Sequence, residues 1–310
     1  MNYQEILNSC PSAGSGVHSW MLAVANIGAR QGVPSEDVKR DIVEKMPRDP
    51  KPANEVEATI KKAYAEAGHQ YESAPKMTPA ERQIAKERID EIKARSFVRL
   101  AGGEATARDL MEISPCKVYP GKGFEPQMAA MLILRLFDRH EKIWCGKLFE
   151  TDTGIDTAEA WAERFLCLDE PPPFFIPNPL TGKQGKRKDG DESWRSDECI
   201  ADWRFALFEV DLPGVSLGHQ AAFWIKQIEA NQMPVEAITY SGGKSLHALI
   251  RVDCRDEMEW DKKVRNGAFP EWIKIGADKA CRNPSRLSRL PGHKRDGDKM
   301  QSLLWLRGGK

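Results

Sequence analysis

Val235-Glu236-Ala237-Ile238-Thr239-Tyr240, then Ser241-Gly242-Gly243-Lys244-Ser245, then Leu246-His247-Ala248-Leu249-Ile250-Arg251-Val252 reads as a strand, a tight bend and a second strand. In the second run Leu246, Ala248, Ile250 and Val252 alternate onto one apolar face. His247 and Arg251 then project from the other face. The two glycines leave backbone N–H groups that a phosphate can approach closely, and Lys244 adds a point charge. His247 has two readings, a hydrogen-bonded strand residue or a group aimed at phosphate. The bend is not a Walker A loop, because Ile238 stands where the first glycine of that pattern belongs and the run after Lys244-Ser245 alternates like a strand.

Upstream, Phe205-Ala206-Leu207-Phe208-Glu209-Val210-Asp211 is another short β-prone run, closed by Leu212-Pro213-Gly214. Alternation puts Glu209 and Asp211 on one face, roughly 6–7 Å apart at Cα for a rise of ~3.3 Å per residue. Such a pair suits hard divalent ions, which take oxygen ligands and bridge carboxylates to phosphates. Acidic residues at a strand end also commonly just face water. Downstream, Asp278 in Ile275-Gly276-Ala277-Asp278 reads either as a third ligand or as the cap of the following turn. Arg286 and Arg289, in Arg286-Leu287-Ser288-Arg289-Leu290-Pro291-Gly292, read as holders of a triphosphate or as salt-bridged surface residues.

Further out, the chain changes character along its length. Trp20, Met21, Val24 and Ile27 recur at helical spacing, and Val38, Ile42, Val43 and Met46 repeat the pattern after Ser35, read as an N-cap. A third helix starts at Asn54, with Glu57 placed as in a capping box. These three helices predict a small bundle over residues 1–70. Thr78-Pro79-Ala80-Glu81 opens a charged helix to about Arg95, whose thin seam is Ile84, Ile89 and Ile92. It reads as a solvated spacer over 71–105, with a partner-binding coiled coil as the other reading. An apolar helix near Gln127 to Phe137 follows, and from Ile143 short strands alternate with helices. Residues 106–310 therefore predict an α+β domain. Pro171-Pro172-Pro173 and Asn178-Pro179-Leu180-Thr181-Gly182 read as loop. Lys183, Lys186, Arg187 and Lys188 read as a mobile surface loop that serves either solubility or a nucleic-acid backbone.

The 310 residues carry no net formal charge, so a polyanionic partner would have to meet a local basic face. The seven cysteines are scattered singly, without zinc-knuckle or redox spacing. No apolar run approaches the roughly 20 residues needed to cross a bilayer, and Met1-Asn2-Tyr3-Gln4-Glu5 does not open like a signal peptide. A cytoplasmic protein without membrane partners is expected.

Taken in order, Glu209-x-Asp211, Ser245-x-His247 and Asp278 resemble the three-motif signature of the archaeo-eukaryotic primase superfamily. Phe208-Glu209-Val210-Asp211, Ser241-Gly242-Gly243-Lys244-Ser245-Leu246-His247 and Ser288-Arg289-Leu290-Pro291-Gly292 are similar to the primase-polymerases of phages and plasmids. The resemblance covers roughly residues 140 to 310, and its specific part is the Ser-Gly-Gly-Lys-Ser-Leu-His run. It implies a core related to the RNA-recognition fold, with a mixed sheet and flanking helices, preceded by a small primase-associated helical domain. It also implies template-directed nucleotidyl transfer on single-stranded DNA. Two Mg2+ or Mn2+ ions would sit on Glu209, Asp211 and Asp278, and the nucleoside triphosphate on Ser241, Gly242, Gly243, Lys244, Ser245, His247, Arg286 and Arg289. Glu209 replaces the aspartate of many relatives, no zinc site is visible, and the helical domain precedes the core instead of following it. No helicase motor is encoded, so unwinding would need a separate replicative helicase. Two rival classes are a non-catalytic nucleic-acid-binding replication module and a metal-dependent nicking enzyme. The latter would want paired histidines, and no His-x-His occurs.

Overall fold

The computed structural model describes residues 2–11, 16–47, 54–68, 78–118, 124–148, 154–167, 170–186, 190–295 and 299–308. They form two compact units, Met1–Gln83 and Ile84–Lys310. No described helix is long and apolar enough to cross a membrane.

The first unit contains four described helices, α1 (Tyr3–Asn8), α2 (Val17–Arg30), α3 (Ser35–Lys45) and α4 (Glu55–Glu66), one more than the periodicity predicts. The short α1 escapes pattern reading because it has a single turn and a half, yet Asn2 and Glu5 close a reciprocal capping box on it. The stripes meet in one core that includes Trp20, Met21, Val24, Val38, Ile42, Val56 and Ile60. Two cap readings are corrected. Ser35 is the first helical residue and Pro34 stands at its cap, and Asn54 occupies the cap of α4 without any side-chain hydrogen bond.

Helix α5 (Pro79–Ala101) is started by Thr78, whose Oγ1 accepts from Glu81 N–H while Glu81 accepts from Thr78 N–H at 2.7 Å. Its apolar seam is not the expected one. Ile84, Ile89 and Ile92 are 65%, 51% and 57% exposed, whereas Ala94, Phe97 and Ala101, beyond the expected end at Arg95, are buried. Phe97 stacks on Phe223 at 4.7 Å, so the last turns of α5 belong to the core of the second unit.

After α6 (Ala107–Glu112) and α7 (Glu125–Leu136), the second unit runs through β1 (Lys142–Gly146), β2 (Ile155–Thr157), α8 (Ala158–Cys167), β3 (Phe174–Phe175), β4 (Gly185–Lys186), β5 (Glu192–Ser193), β6 (Trp203–Glu209), α9 (Leu217–Glu229), β7 (Val235–Tyr240) and β8 (Leu246–Cys254). A helical run follows, α10 (Glu257–Trp260), a π-helical stretch Asp261–Ala268 and α11 (Phe269–Lys274); β9 (Ser288–Arg289) and β10 (Ser302–Leu306) end it. The main sheet has the order β10-β7-β8-β6, and a second has the order β2-β1-β3-β9. Every listed pairing in both is antiparallel, so the expected mixed sheet is corrected. The crossover helix α9 brings β7 back one position away from β6 and β8 fills the gap, which converts a parallel relation into two antiparallel ladders.

Both faces of the main sheet are covered. Leu246, Ala248 and Ile250 pack with Phe208, Phe223 and Trp224 on one side. Leu249, Phe205 and Leu207 pack with Leu132, Ile133, Phe165 and Phe175 on the other, and Val252 joins this second cluster instead of the predicted first face. The 183–188 stretch is also corrected, because Gly185–Lys186 pairs with Glu192–Ser193 as a small hairpin. Lys183 and Lys186 are exposed on it; Arg187 and Lys188 lie outside the described residues.

Strand β6 is an edge, and its outward backbone groups need partners. Asn178, in a segment read only as loop, is 0% exposed and supplies them at one end. Its Oδ1 accepts from Arg204 and Phe205 N–H, both at 2.8 Å, and its Nδ2 donates to the carbonyls of Phe205 and Pro284, both at 2.9 Å. Replacing it by alanine leaves these buried groups without partners. Asn178→Ala should therefore lose on the order of 3 kcal/mol, seen as a lower urea midpoint; a loss under about 1 kcal/mol would mean that water satisfies the edge equally well.

Candidate active site

At its other end the β6 edge is covered by the chain after α11. Gly276, at φ +101°, makes the turn that only a glycine adopts readily, and a β-carbon there would stand 2.5 Å from Leu212 Cδ1. The turn lays Ala277 against Val210 as an isolated bridge, and Asp278 N–H donates to the Glu209 carbonyl at 2.9 Å. The backbone need of an edge strand thus delivers the Asp278 carboxylate beside that of Glu209. Their oxygens and Cys281 Sγ lie within 4.8 Å of one another.

Glu209 is paired directly with His247 across the β6–β8 ladder. Its Oε1 accepts from Ser245 Oγ at 2.8 Å and from His247 Nε2 at 3.2 Å. An ionised carboxylate only accepts, so Nε2 carries the proton, and Nδ1 faces Ser288 Oγ at 3.4 Å. Burial pushes the Glu209 carboxyl up, but the His247 hydrogen bond and charge, the Ser245 hydroxyl and the Arg286 guanidinium outweigh it and hold the group at about 2. Burial pushes the Cys281 thiol up to about 12, with the Glu209 charge acting the same way.

The Ser241–Ser245 bend is braced from behind. Gln220 on α9, 1% exposed, donates to the Lys244 carbonyl at 2.9 Å and accepts from Leu246 N–H at 2.8 Å. Ser241 and Ser245 are buried and bond each other through their hydroxyls at 3.2 Å. Gly242, at φ +70°, turns the chain under Arg295, whose Nη1 donates to the Ser241 carbonyl at 3.3 Å. The result is a cleft of about 440 Å³. Glu209 and Asp211 line it together with Ser241, Gly242, Gly243, Lys244 and Ser245, and with the cations Arg289, Arg295 and Lys299.

Most of the sequence-predicted residues converge here, with distinctions. Strand β6 stops at Glu209, so Asp211 is an exposed residue of the cleft rather than a strand ligand; it is not in the cluster of Glu209 and Asp278. Asp278 also caps its turn, accepting from Ala280 N–H at 2.9 Å. Arg286 lies 3.5 Å from Asp278 and is not a lining residue of the cleft. Arg289 is, with its guanidinium 4.2 Å from the centre of the Phe174 ring, and burial lowers its pKa. His247, 4% exposed, sits behind Glu209 and does not line the cleft. Lys183 and Lys186 are elsewhere. Sequence reading missed Gln220, Arg295 and Lys299. His293-Lys294-Arg295 looks like any solvated charge run, and Gln220 looks like a polar helix position; only the folded chain sets them against the bend.

No protein-family model, curated protein or solved structure matches the chain.

The donors around Glu209 have a consequence for stability. A carboxyl held at about 2 against an ordinary 4.5 contributes stability that is complete above about pH 4.5 and is lost as pH falls toward 2. In chelator-treated buffer, wild type should have a higher urea midpoint than Glu209→Gln at neutral pH, and the gap should shrink between pH 4.5 and 2. A gap independent of pH would mean that the donors do not favour the ionised form.

Proposed function

We propose that the Ile84–Lys310 unit is a template-directed nucleotidyltransferase of the primase-polymerase kind, acting on nucleoside triphosphates. The observation that supports this best is the charge arrangement of one cleft. Carboxylates, Glu209 and Asp211, line it along with a glycine bend and four cations, Lys244, Arg289, Arg295 and Lys299. A triphosphate carrying a divalent ion needs both kinds of group: cations and N–H groups for phosphate oxygens, and carboxylates for the ion.

The donor set fits a hard divalent ion. Glu209 and Asp278 offer converging oxygens, and the third neighbour, Cys281, has a thiol whose high pKa keeps it from competing as a thiolate. Glu209 and Asp278 would hold such an ion, Mg2+ or Mn2+, with Asp211 available at the cleft for a second. Bound there, it would neutralise phosphate charge and lower the pKa of the attacking hydroxyl.

The chain's own residues divide the remaining work. Held at about 2, Glu209 is a poor proton acceptor and a good permanent anion, which suits a ligand rather than a general base. His247 and Ser245 fix which oxygen of Glu209 faces inward. Lys244, Arg289 and Arg295 hold the triphosphate so that a 3′-hydroxyl can displace pyrophosphate from the α-phosphorus in line, forming one phosphodiester and breaking one anhydride. The helical unit Met1–Gln83 enters this proposal as a primase-associated domain serving template or starting nucleotide.

The test is incubation with unprimed and primed single-stranded templates, with ribo- or deoxyribonucleotides, with and without Mg2+ or Mn2+. Glu209→Ala and Asp278→Ala should abolish metal-dependent incorporation while template binding survives. Lys244→Ala, Arg289→Ala and Arg295→Ala should each lose about tenfold to a hundredfold in nucleotide use, from roughly 1.5–3 kcal/mol per charge-assisted contact. Template binding without incorporation by the wild type would favour the non-catalytic module instead.

A further inference from the structure

A second cavity, of about 640 Å³, lies in the same unit between the β1–β2 ladder, α8 and the chain around Pro171 and His293. Its volume is within the range of small-molecule sites. Nothing in the proposed reaction uses it so far. We propose that it receives a nucleobase, stacked on Arg164 and hydrogen-bonded to Trp161.

The platform is already assembled. The Arg164 guanidinium lies 4.4 Å from the centre of the Trp161 ring, and Asp156 Oδ2 accepts from its Nη2 at 2.7 Å. Pinned on one face by the indole and at its edge by the carboxylate, the flat cation is still 45% exposed. A planar guanidinium fixed in this way stacks on a base at little further ordering cost.

Trp161 adds an independent sign. It is 8% exposed and lines the cavity, and its Nε1 is buried without a hydrogen-bond partner. A buried donor left unmade costs free energy, and an acceptor entering the cavity would remove that cost. A nucleobase provides both features in one rigid group, a π-face for Arg164 and ring or carbonyl acceptors for the indole N–H. Phosphate alone would use the cation but not the stack.

One segment joins this cavity to the cleft. Ser288–Arg295 gives Arg289 and Arg295 to the cleft and His293 to the second cavity. His293 is fixed there by Glu170 at 2.7 Å and by the Pro171 carbonyl at 3.1 Å. A base held in the cavity therefore lies next to the wall of the triphosphate site, as a template base or a starting nucleotide must. That last assignment rests on the nucleotidyl-transfer reading; base recognition itself does not.

The experiment measures equilibrium binding of a labelled single-stranded oligonucleotide, and of a mononucleoside triphosphate, in chelator without divalent metal. Wild type is compared with Arg164→Ala, whose side chain is partly exposed, and with Trp161→Phe, which keeps a ring and removes the N–H. Arg164→Ala should weaken binding about tenfold and Trp161→Phe severalfold. An oligonucleotide of abasic sites should bind wild type no better than Arg164→Ala binds the intact strand. Weakening of the strand alone identifies a template base, and weakening of the mononucleotide alone a starting nucleotide. Wild-type affinity of both variants for both ligands overturns the proposal, whatever the incorporation assay gives. Conversely, weakened binding in Arg164→Ala beside a wild type inactive in incorporation would leave the cavity standing and remove the reaction proposed for the cleft.

Discussion

Glu209 is a carboxylate taken largely out of water at the end of an edge strand, and the donors it requires organise the candidate site. Ser245 and His247 reach its oxygen from β8, and the backbone of Asp278 closes the strand edge beside it. An unpaired charge in this position would be strongly unfavourable. Three chain segments far apart in sequence are thereby tied to one side chain. The same ties fix the glycine bend, because Ser245 is both the Glu209 donor and the partner of Ser241.

The cleft is polarised although the chain as a whole is neutral. Carboxylates and cations line one small volume, so a ligand carrying both a metal ion and phosphates meets complementary charge without any long-range basic field. The bend is stiffened by Gln220 from the helix side and by Arg295 from the solvent side. A phosphate site built from braced backbone needs little reorganisation on binding. The second cavity adds an aromatic and cationic wall on the far side of Ser288–Arg295, which divides recognition of phosphate from recognition of a base.

Much of this was legible in the sequence where one local pattern decides the outcome. Val235–Tyr240 was read to its exact ends, and the α+β class followed from the change in periodicity after Ile143. The helical bundle followed from repeated stripes. Other features depend on distant chain. Ile84, Ile89 and Ile92 have helical spacing but face solvent, because Phe97 finds Phe223 only in the folded unit. Asn178 sits in a run of turn residues, and nothing local says that a strand edge will claim it. Strand direction was also out of reach, since the place of β7 depends on β8 entering between it and β6. At the site, residue types were legible and partners were not: His247 was read as a phosphate contact and stands instead behind Glu209, while Arg295 was hidden in a charge run.

If the carboxylate end and the cation end form one site, metal and triphosphate must help each other bind, and to the same degree in either order. The direct measurement is calorimetric titration of a non-hydrolysable nucleoside triphosphate with and without saturating Mn2+, in wild type and in Glu209→Ala. Mn2+ should tighten triphosphate binding at least tenfold beyond its effect in Glu209→Ala, and the triphosphate should tighten Mn2+ binding by the same factor. Equal Mn2+ effects in the two proteins would contradict a single metal-and-nucleotide site at this cleft.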